Sequence, residues 1–180
     1  MSSGGIGAWL SRQVLSLLRG GSATTTRGRA THSRTTVGGA APTAGTGTTD
    51  FTGNARVEYT PQRDGRPDPG EIVWTWVPFE EHDGRGKDRP VLLIARVGSD
   101  VLGLMLTSKD HDRDAVAQAR QGRYWVDIGS GRWDPQGRPS EVRIDRVLRI
   151  NPKDVRREGA VLGRAKFLDV ANEVRRVKGW

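Results

Sequence analysis

Glu71-Ile-Val-Trp-Thr-Trp-Val77 and, further on, Val91-Leu-Leu-Ile-Ala-Arg-Val97 turning through Gly98-Ser-Asp100 into Val101-Leu-Gly-Leu-Met-Leu-Thr107 decide how this chain folds. Both stretches are rich in β-branched, aromatic and aliphatic side chains that suit a pleated surface. Both are punctuated by turn formers: Asp68-Pro69-Gly70 before the first, Pro78 after it, and Gly98-Ser-Asp100 inside the second. That inner turn makes a hairpin of Val91–Val97 and Val101–Thr107. Trp74 and Trp76 are two apart and share one strand face, so core or subunit-interface positions are expected for them.

Working outward, a polar Gly-rich loop from Phe79 to Asp88 leads to Arg89-Pro90. Tyr124–Ile128 reads as a further strand, Gly129–Pro139 as a Gly/Pro loop, and Glu141–Ile150 as one more strand or a bent pair. Asn151-Pro152 has the chemistry of a helix start. After Gly163, residues Phe167, Val170, Ala171, Val174 and Val177 recur along one helical stripe. Short strands, tight turns and a terminal helix predict a mainly β domain over 68–180, a small SH3-like β-barrel rather than a βαβ fold.

The first part of the chain has a different texture. Residues 1–49 hold no acid but five arginines, and Gly20 to Gly53 is mostly Gly, Ser, Thr and Ala. Such a stretch buries too little apolar surface to offset its ordering entropy, which predicts a disordered linker over 20–67. Ahead of it, Ile6, Trp9, Leu10, Val14, Leu17 and Leu18 recur at helical spacing, so a short amphipathic helix is expected within 1–19. It reads as a marginal tail, as a docking helix, or as a targeting segment.

The 180 residues carry 29 Lys and Arg against 21 Asp and Glu, a net charge of +8, which favours a polyanionic partner. No cysteine is present, which excludes disulfides, thiolate zinc sites and a Cys nucleophile; the histidines His32, His82 and His111 are too scattered for a metal cage. No metal and no cofactor is expected. No apolar run is long enough to span a membrane as a helix, and with no convincing export signal a cytoplasmic location is expected. Gly84-Arg-Gly-Lys87 is not a phosphate loop, because Glu81 stands where its first Gly should be and Asp88 follows the Lys. Gly129-Ser-Gly131 lacks the third glycine of a dinucleotide fingerprint, and neither a Gly-x-Ser-x-Gly nor a His-Glu-x-x-His motif occurs.

What remains is an ordered series: Gly70-Glu-Ile-Val-Trp74, Arg89-Pro90-Val-Leu-Leu-Ile94, Leu104-Met-Leu-Thr-Ser108, and Val142-Arg-Ile-Asp-Arg146 followed by Arg149-Ile150. In this order the pieces resemble the MazF/PemK toxins, in their PemK-like form, over residues 68 to 180 and not over the tail. The resemblance implies an SH3-like barrel, usually a homodimer, that cleaves single-stranded RNA without metal and is neutralised by a separately encoded antitoxin. It implies catalytic roles for Arg89 and Thr107. It also implies a proton donor and positioning partner in Arg143 and Asp145, and an acid–base role for His82 in the loop. Lys87, Ser108, Arg132, Trp133 and Arg138 are the candidate RNA contacts, Trp133 as an exposed stacking platform flanked by arginines. The loop departs from the family pattern, and Glu80, Glu81 and Asp83 all remain candidates for its displaced acid.

Metal-free RNA cleavage needs attack of a 2′-OH on its own phosphate, hence a base, an acid, and cations for the extra charge. Arginine suits the last role through its permanent charge and bidentate fork. Each candidate also has a plain structural reading: Arg89 paired to Asp88 or Glu80, Arg143 with Asp145 as a same-face salt bridge, the histidines solvated, Thr107 capping a turn. Two other functions fit the chain, a non-catalytic nucleic-acid- or protein-binding module on the same fold, and a gyrase-poisoning relative suggested by the basic helix and terminal Gly179-Trp180.

Overall fold

The computed structural model describes residues 47–111 and 114–180, without the side chains of Arg157 and Glu158. The expected helix over 1–19 and the expected linker up to residue 46 lie outside the described residues. In chain order the elements are β1 (Thr49–Asp50), β2 (Glu71–Pro78), β3 (Gly86–Val97), β4 (Asp100–Thr107), α1 (Ala115–Arg120), β5 (Trp125–Gly129), β6 (Ser140–Arg143), β7 (Leu148–Ile150), a 3-10 turn (Pro152–Asp154), β8 (Arg157–Val161) and α2 (Arg164–Lys178).

The β3–β4 hairpin forms where the sequence places it. All pairings are antiparallel, in the order β1-β7-β4-β3-β2-β8, with β6 bridging β4 and β5. β4 pairs β7 along Val101–Gly103 and β6 at Leu106–Thr107, so the sheet bends off to a second branch there. The bend uses the break at Ile144–Val147, which splits Glu141–Ile150 into the bent pair β6 and β7. The sheet is barrel-like but not closed, since β1 and β8 remain unpaired edges.

Strand alternation sorts the apolar side chains into two clusters. Ile72, Leu92, Ile94, Leu102, Leu104 and Leu106 pack with Phe167, Val170 and Val174 of α2, while Val73, Val77, Val91, Leu93, Val101 and Met105 pack with Leu148 and Ile150. Burial of a side chain such as Phe167 stabilises by about 1.5–3 kcal/mol. α2 ends at Gly179, whose left-handed φ of 70° closes the helix, and Trp180 lies edge-on to Phe51. The terminal Gly-Trp pair is thus a helix stop with a packing contact.

Two features were not legible as expected, and the expected helix start at Asn151-Pro152 is a short one. The linker reading fails from residue 47 on: Phe51 N donates to Val147 O, Glu58 N to Ile94 O and Thr60 N to Pro69 O, Val57 is buried, and Tyr59 Oη donates to Leu162 O at 2.8 Å. A few apolar anchors inside a polar stretch are enough to hold it. β3 starts at Gly86, so Arg89-Pro90 lies within a strand; Pro90 is tolerated because the β3–β4 pairing begins only at Val91↔Met105. Asn151-Pro152 starts a 3-10 turn, with the Asn151 side chain accepting from Lys153 N, and β8 then separates it from α2.

Candidate active site

The ends of β2, β4 and β6 and the start of β3 meet two loops, 79–85 and 130–139, around an open groove of about 870 Å³. Arg89, Thr107, Ser108, Arg143, Lys87 and Arg138 all line it; Asp145, His82 and Arg132 do not. The β2–β3 register sets Arg89 opposite Thr75, and the branch at the end of β4 sets Thr107 opposite Glu141 of β6. Thr107 Oγ1 accepts from Lys109 N at 3.1 Å, so the hydroxyl caps the turn while its proton remains to donate.

Arg143 is the most heavily bound cation in the groove. Its side chain is 8% exposed, donates from Nε and Nη2 to both Asp145 oxygens at 2.8–3.2 Å, and is ion-paired to Glu80. Asp145 also accepts from Tyr124 N at 2.8 Å, and Arg123 holds the other Glu80 oxygen at 2.9 Å. Burial alone would lower the Arg143 pKa, but the hydrogen bonds and charges of Asp145 and Glu80 outweigh it and push it up. For Glu80 burial acts to raise the pKa, and the bonds and charges from Arg143 and Arg123 outweigh that and hold it below the usual carboxylate range. Of the three loop acids Glu80 is therefore the one that reaches this network.

Arg89 is the opposite case. It is half-buried and, among the described residues, its side chain makes no hydrogen bond or ion pair, so its plain reading as a partner of Asp88 or Glu80 does not hold. Burial depresses its pKa, and so does the charge of Arg146. Arg146, which also lines the groove, is 8% exposed; its Nε donates to Asp50 at 2.7 Å, while its buried Nη2 has no partner among the described residues. Trp125 Nε1 is a second buried donor without a partner, and Asp88 Oδ1 an acceptor without one. An unsatisfied buried donor costs about 1–3 kcal/mol, more when charged. Two guanidiniums that repel one another, one unpaired and one half-paired, form a place prepared for an anion.

His111, which reads from the sequence as a solvated histidine in a polar loop, is not solvated. It lines the groove with its side chain 12% exposed, lies parallel to the Trp125 ring at 4.0 Å, and is bound twice by Glu141: ring Nδ1 to Oε2 at 2.8 Å and backbone N to Oε1 at 3.0 Å. The Arg143 guanidinium lies 5.9 Å from the same indole centroid. The only available signal was Trp125, in register with Arg143 on the neighbouring strand.

Two expectations are corrected. Trp133 is no exposed platform: it is 5% exposed, belongs to the core, and donates Nε1 to Ser140 Oγ at 3.1 Å. Gly131 lies against its ring so closely that a Cβ there would overlap it, and a buried indole N–H takes the nearest hydroxyl. His82 sits outside the groove, largely exposed, at a left-handed φ of 51°, with Nε2 3.3 Å from Asp50. Arg138 lines the groove but is committed to Asp134 at 2.8 Å.

A small curled sheet with a terminal helix, bearing at one end a groove with under-satisfied cations, is the class these observations define. The chain belongs to the family of PemK-like, MazF-like toxins of type II toxin–antitoxin systems, whose model matches residues 68–177. No curated protein matches in sequence. Among solved structures it is similar to a MazE–MazF complex from Deinococcus radiodurans (16% identity, 64% of this chain and 98% of that one, TM-score 0.46). It is likewise similar to an endoribonuclease from a mycobacterial species (15%, 66% and 96%, 0.43) and to the Mycobacterium tuberculosis toxin MazF-mt6 (18%, 59% and 94%, 0.40). Among the described residues no helix is long and apolar enough to cross a membrane.

Proposed function

We propose that the chain is an endoribonuclease, the toxin of a toxin–antitoxin pair, which cuts single-stranded RNA by attack of a ribose 2′-OH on the adjacent phosphate. The reaction leaves a 2′,3′-cyclic phosphate and a 5′-OH, and needs neither metal nor cofactor. The observation that carries this reading is the half-buried, unpartnered Arg89 beside the buried Nη2 of Arg146 in one groove. A phosphodiester answers both, and the charge that builds on a phosphorane is where such cations act most strongly, each contributing about 3–4 kcal/mol. The Thr107 hydroxyl supplies a neutral donor, and Lys87 and Ser108 extend the contact along the strand.

Arg143 takes a different part from the one its resemblance implies. Two carboxylates hold its proton more tightly, so it serves as a fixed charge at the groove wall with Asp145 as its positioning partner. The matching partners are an antitoxin, a second copy of the chain in a homodimer, and RNA of the cytoplasm.

The full chain is expected to cut a long single-stranded viral RNA in EDTA and to leave cyclic-phosphate ends. Arg89→Ala should lower the rate by about 100- to 1000-fold. Its unfolding midpoint should not fall, because no protein bond is lost. A second reading, RNA binding without cleavage, is favoured by the saturation of Arg143; it predicts salt-dependent binding and no cut with any RNA. Loss of activity with chelator overturns the metal-free reaction.

A further inference from the structure

The reaction proposed above requires a group to accept the 2′-OH proton, and the residues matched by resemblance do not provide one. Asp145 lies outside the groove with its oxygens taken by Arg143 and Tyr124 N, and Glu80 is held ionised by two arginines. Asp134 is bound by Arg138. Asp88 and Glu81 also line the groove, but Asp88 is ion-paired to Arg156, and Glu81 is an exposed loop side chain that no hydrogen bond or ion pair among the described residues orients. His82 is outside the groove.

We propose that His111, held by Glu141 against Trp125, is the general base of this reaction. The carboxylate can only accept, so the ring nitrogen facing it carries the hydrogen; a neutral imidazole then has its lone pair on Nε2. Glu141 grips both the ring and the backbone of His111, and the parallel indole removes the remaining rotation, so Nε2 has a fixed direction. A base oriented by a third group is the arrangement that proton abstraction from a hydroxyl calls for. Around it stand Glu141 from β6, Arg143 across the indole, and Lys109, Gln118 and Arg123 along the same groove.

In the step, Nε2 takes the 2′-OH proton as the O2′–P bond forms and the P–O5′ bond breaks. The departing 5′-oxygen takes a proton from water in the open groove, and His111 later returns its own to solvent. Glu141 touches no reacting atom and is a positioning residue.

The inference rests on the endoribonuclease reading, and the two fail separately. A wild-type chain that cuts no RNA overturns that reading, and the inference with it, before any variant is made. Given cleavage, the cut site is mapped and a short oligonucleotide bearing it is used for kinetics. His111→Asn keeps a donor for Glu141 and removes Nε2. Its kcat should fall about 100- to 10,000-fold, while affinity for the uncleavable 2′-O-methyl oligonucleotide stays within threefold. An oligonucleotide with sulfur at the 5′-bridging position needs no proton on its leaving group, so the loss should persist with it. Activity within threefold of wild type, or recovery with the 5′-thio substrate, overturns the base assignment. Should His111→Asn not fold, Glu141→Gln carries the test: kcat should fall by less than in His111→Asn while affinity for the 2′-O-methyl oligonucleotide stays within threefold, and a wild-type kcat refutes the proposal.

Discussion

Asp50 lies ahead of the region that matches the toxin family, yet among the described residues it carries the only carboxylate bonded to Arg146. Replacing it by Asn keeps the shape and removes the charge opposite a guanidinium that is 8% exposed. Breaking a fully buried pair from one side costs about 3–5 kcal/mol, whereas losing an exposed pair costs about 0–1 kcal/mol. The 2.7 Å bond has one buried partner, while the Asp50 side chain is 33% exposed. A value between the two ranges follows, about 2 kcal/mol. Urea unfolding of the full chain should show it as a lower midpoint with an unchanged slope.

The same substitution leaves Arg146 without a counter-charge next to Arg89. On the proposed reading inorganic phosphate binds the folded groove and not the unfolded chain, and it should therefore restore more stability to Asp50→Asn than it adds to wild type, rising by about 1.4 kcal/mol per tenfold concentration once above the dissociation constant. An unchanged midpoint in Asp50→Asn would show that the segment before residue 68 does not hold Arg146. A normal response to phosphate in both proteins would show that Arg89 and Arg146 do not share an anion.

Two further outcomes are expected. Glu80 has a folded pKa below its ordinary 4.5, so its contribution is complete above that value and drains away as pH falls through the folded value; Glu80→Gln should flatten the stability–pH curve in that acidic window, and an unaltered slope between pH 5 and about 3 would refute the network. Gly131→Ala forces a methyl group into the Trp133 ring, which should cost about 1–3 kcal/mol and shift the tryptophan fluorescence; a wild-type midpoint would return Trp133 to the surface.

The parts of this molecule that the sequence discloses are those written in local patterns. The β3–β4 hairpin follows from two apolar runs around Gly98-Ser-Asp100, and α2 from its stripe of Phe167, Val170, Ala171 and Val174. Arg89, Thr107 and Arg143 were found through motif order, and the groove does collect them. What stayed hidden depends on distant partners. Arg146 takes its meaning from Asp50, 96 residues away, and His111 from Glu141, 30 residues away. Trp133 misled for the same reason: arginines and glycines around it signal exposure, but Gly131 and Ser140 close over the ring.

The arginines near the groove divide by how much of their charge the protein itself answers. Arg143 has two carboxylates and behaves as part of the framework, and Arg123 shares one of them. Arg146 has half of one, and Arg89 has none, although burial and mutual repulsion both act against its charge. A fold selected for stability alone would place acids there, as it does at Arg138 with Asp134 and at Arg149 with Asp100. The deficit at Arg89 and Arg146 faces the groove, and on the proposed reading the unfavourable charge of the empty protein is the favourable term of the occupied one. On that reading, stability withheld at Arg89 and Arg146 is recovered when a phosphate arrives, and most strongly when that phosphate carries the extra charge of a transition state.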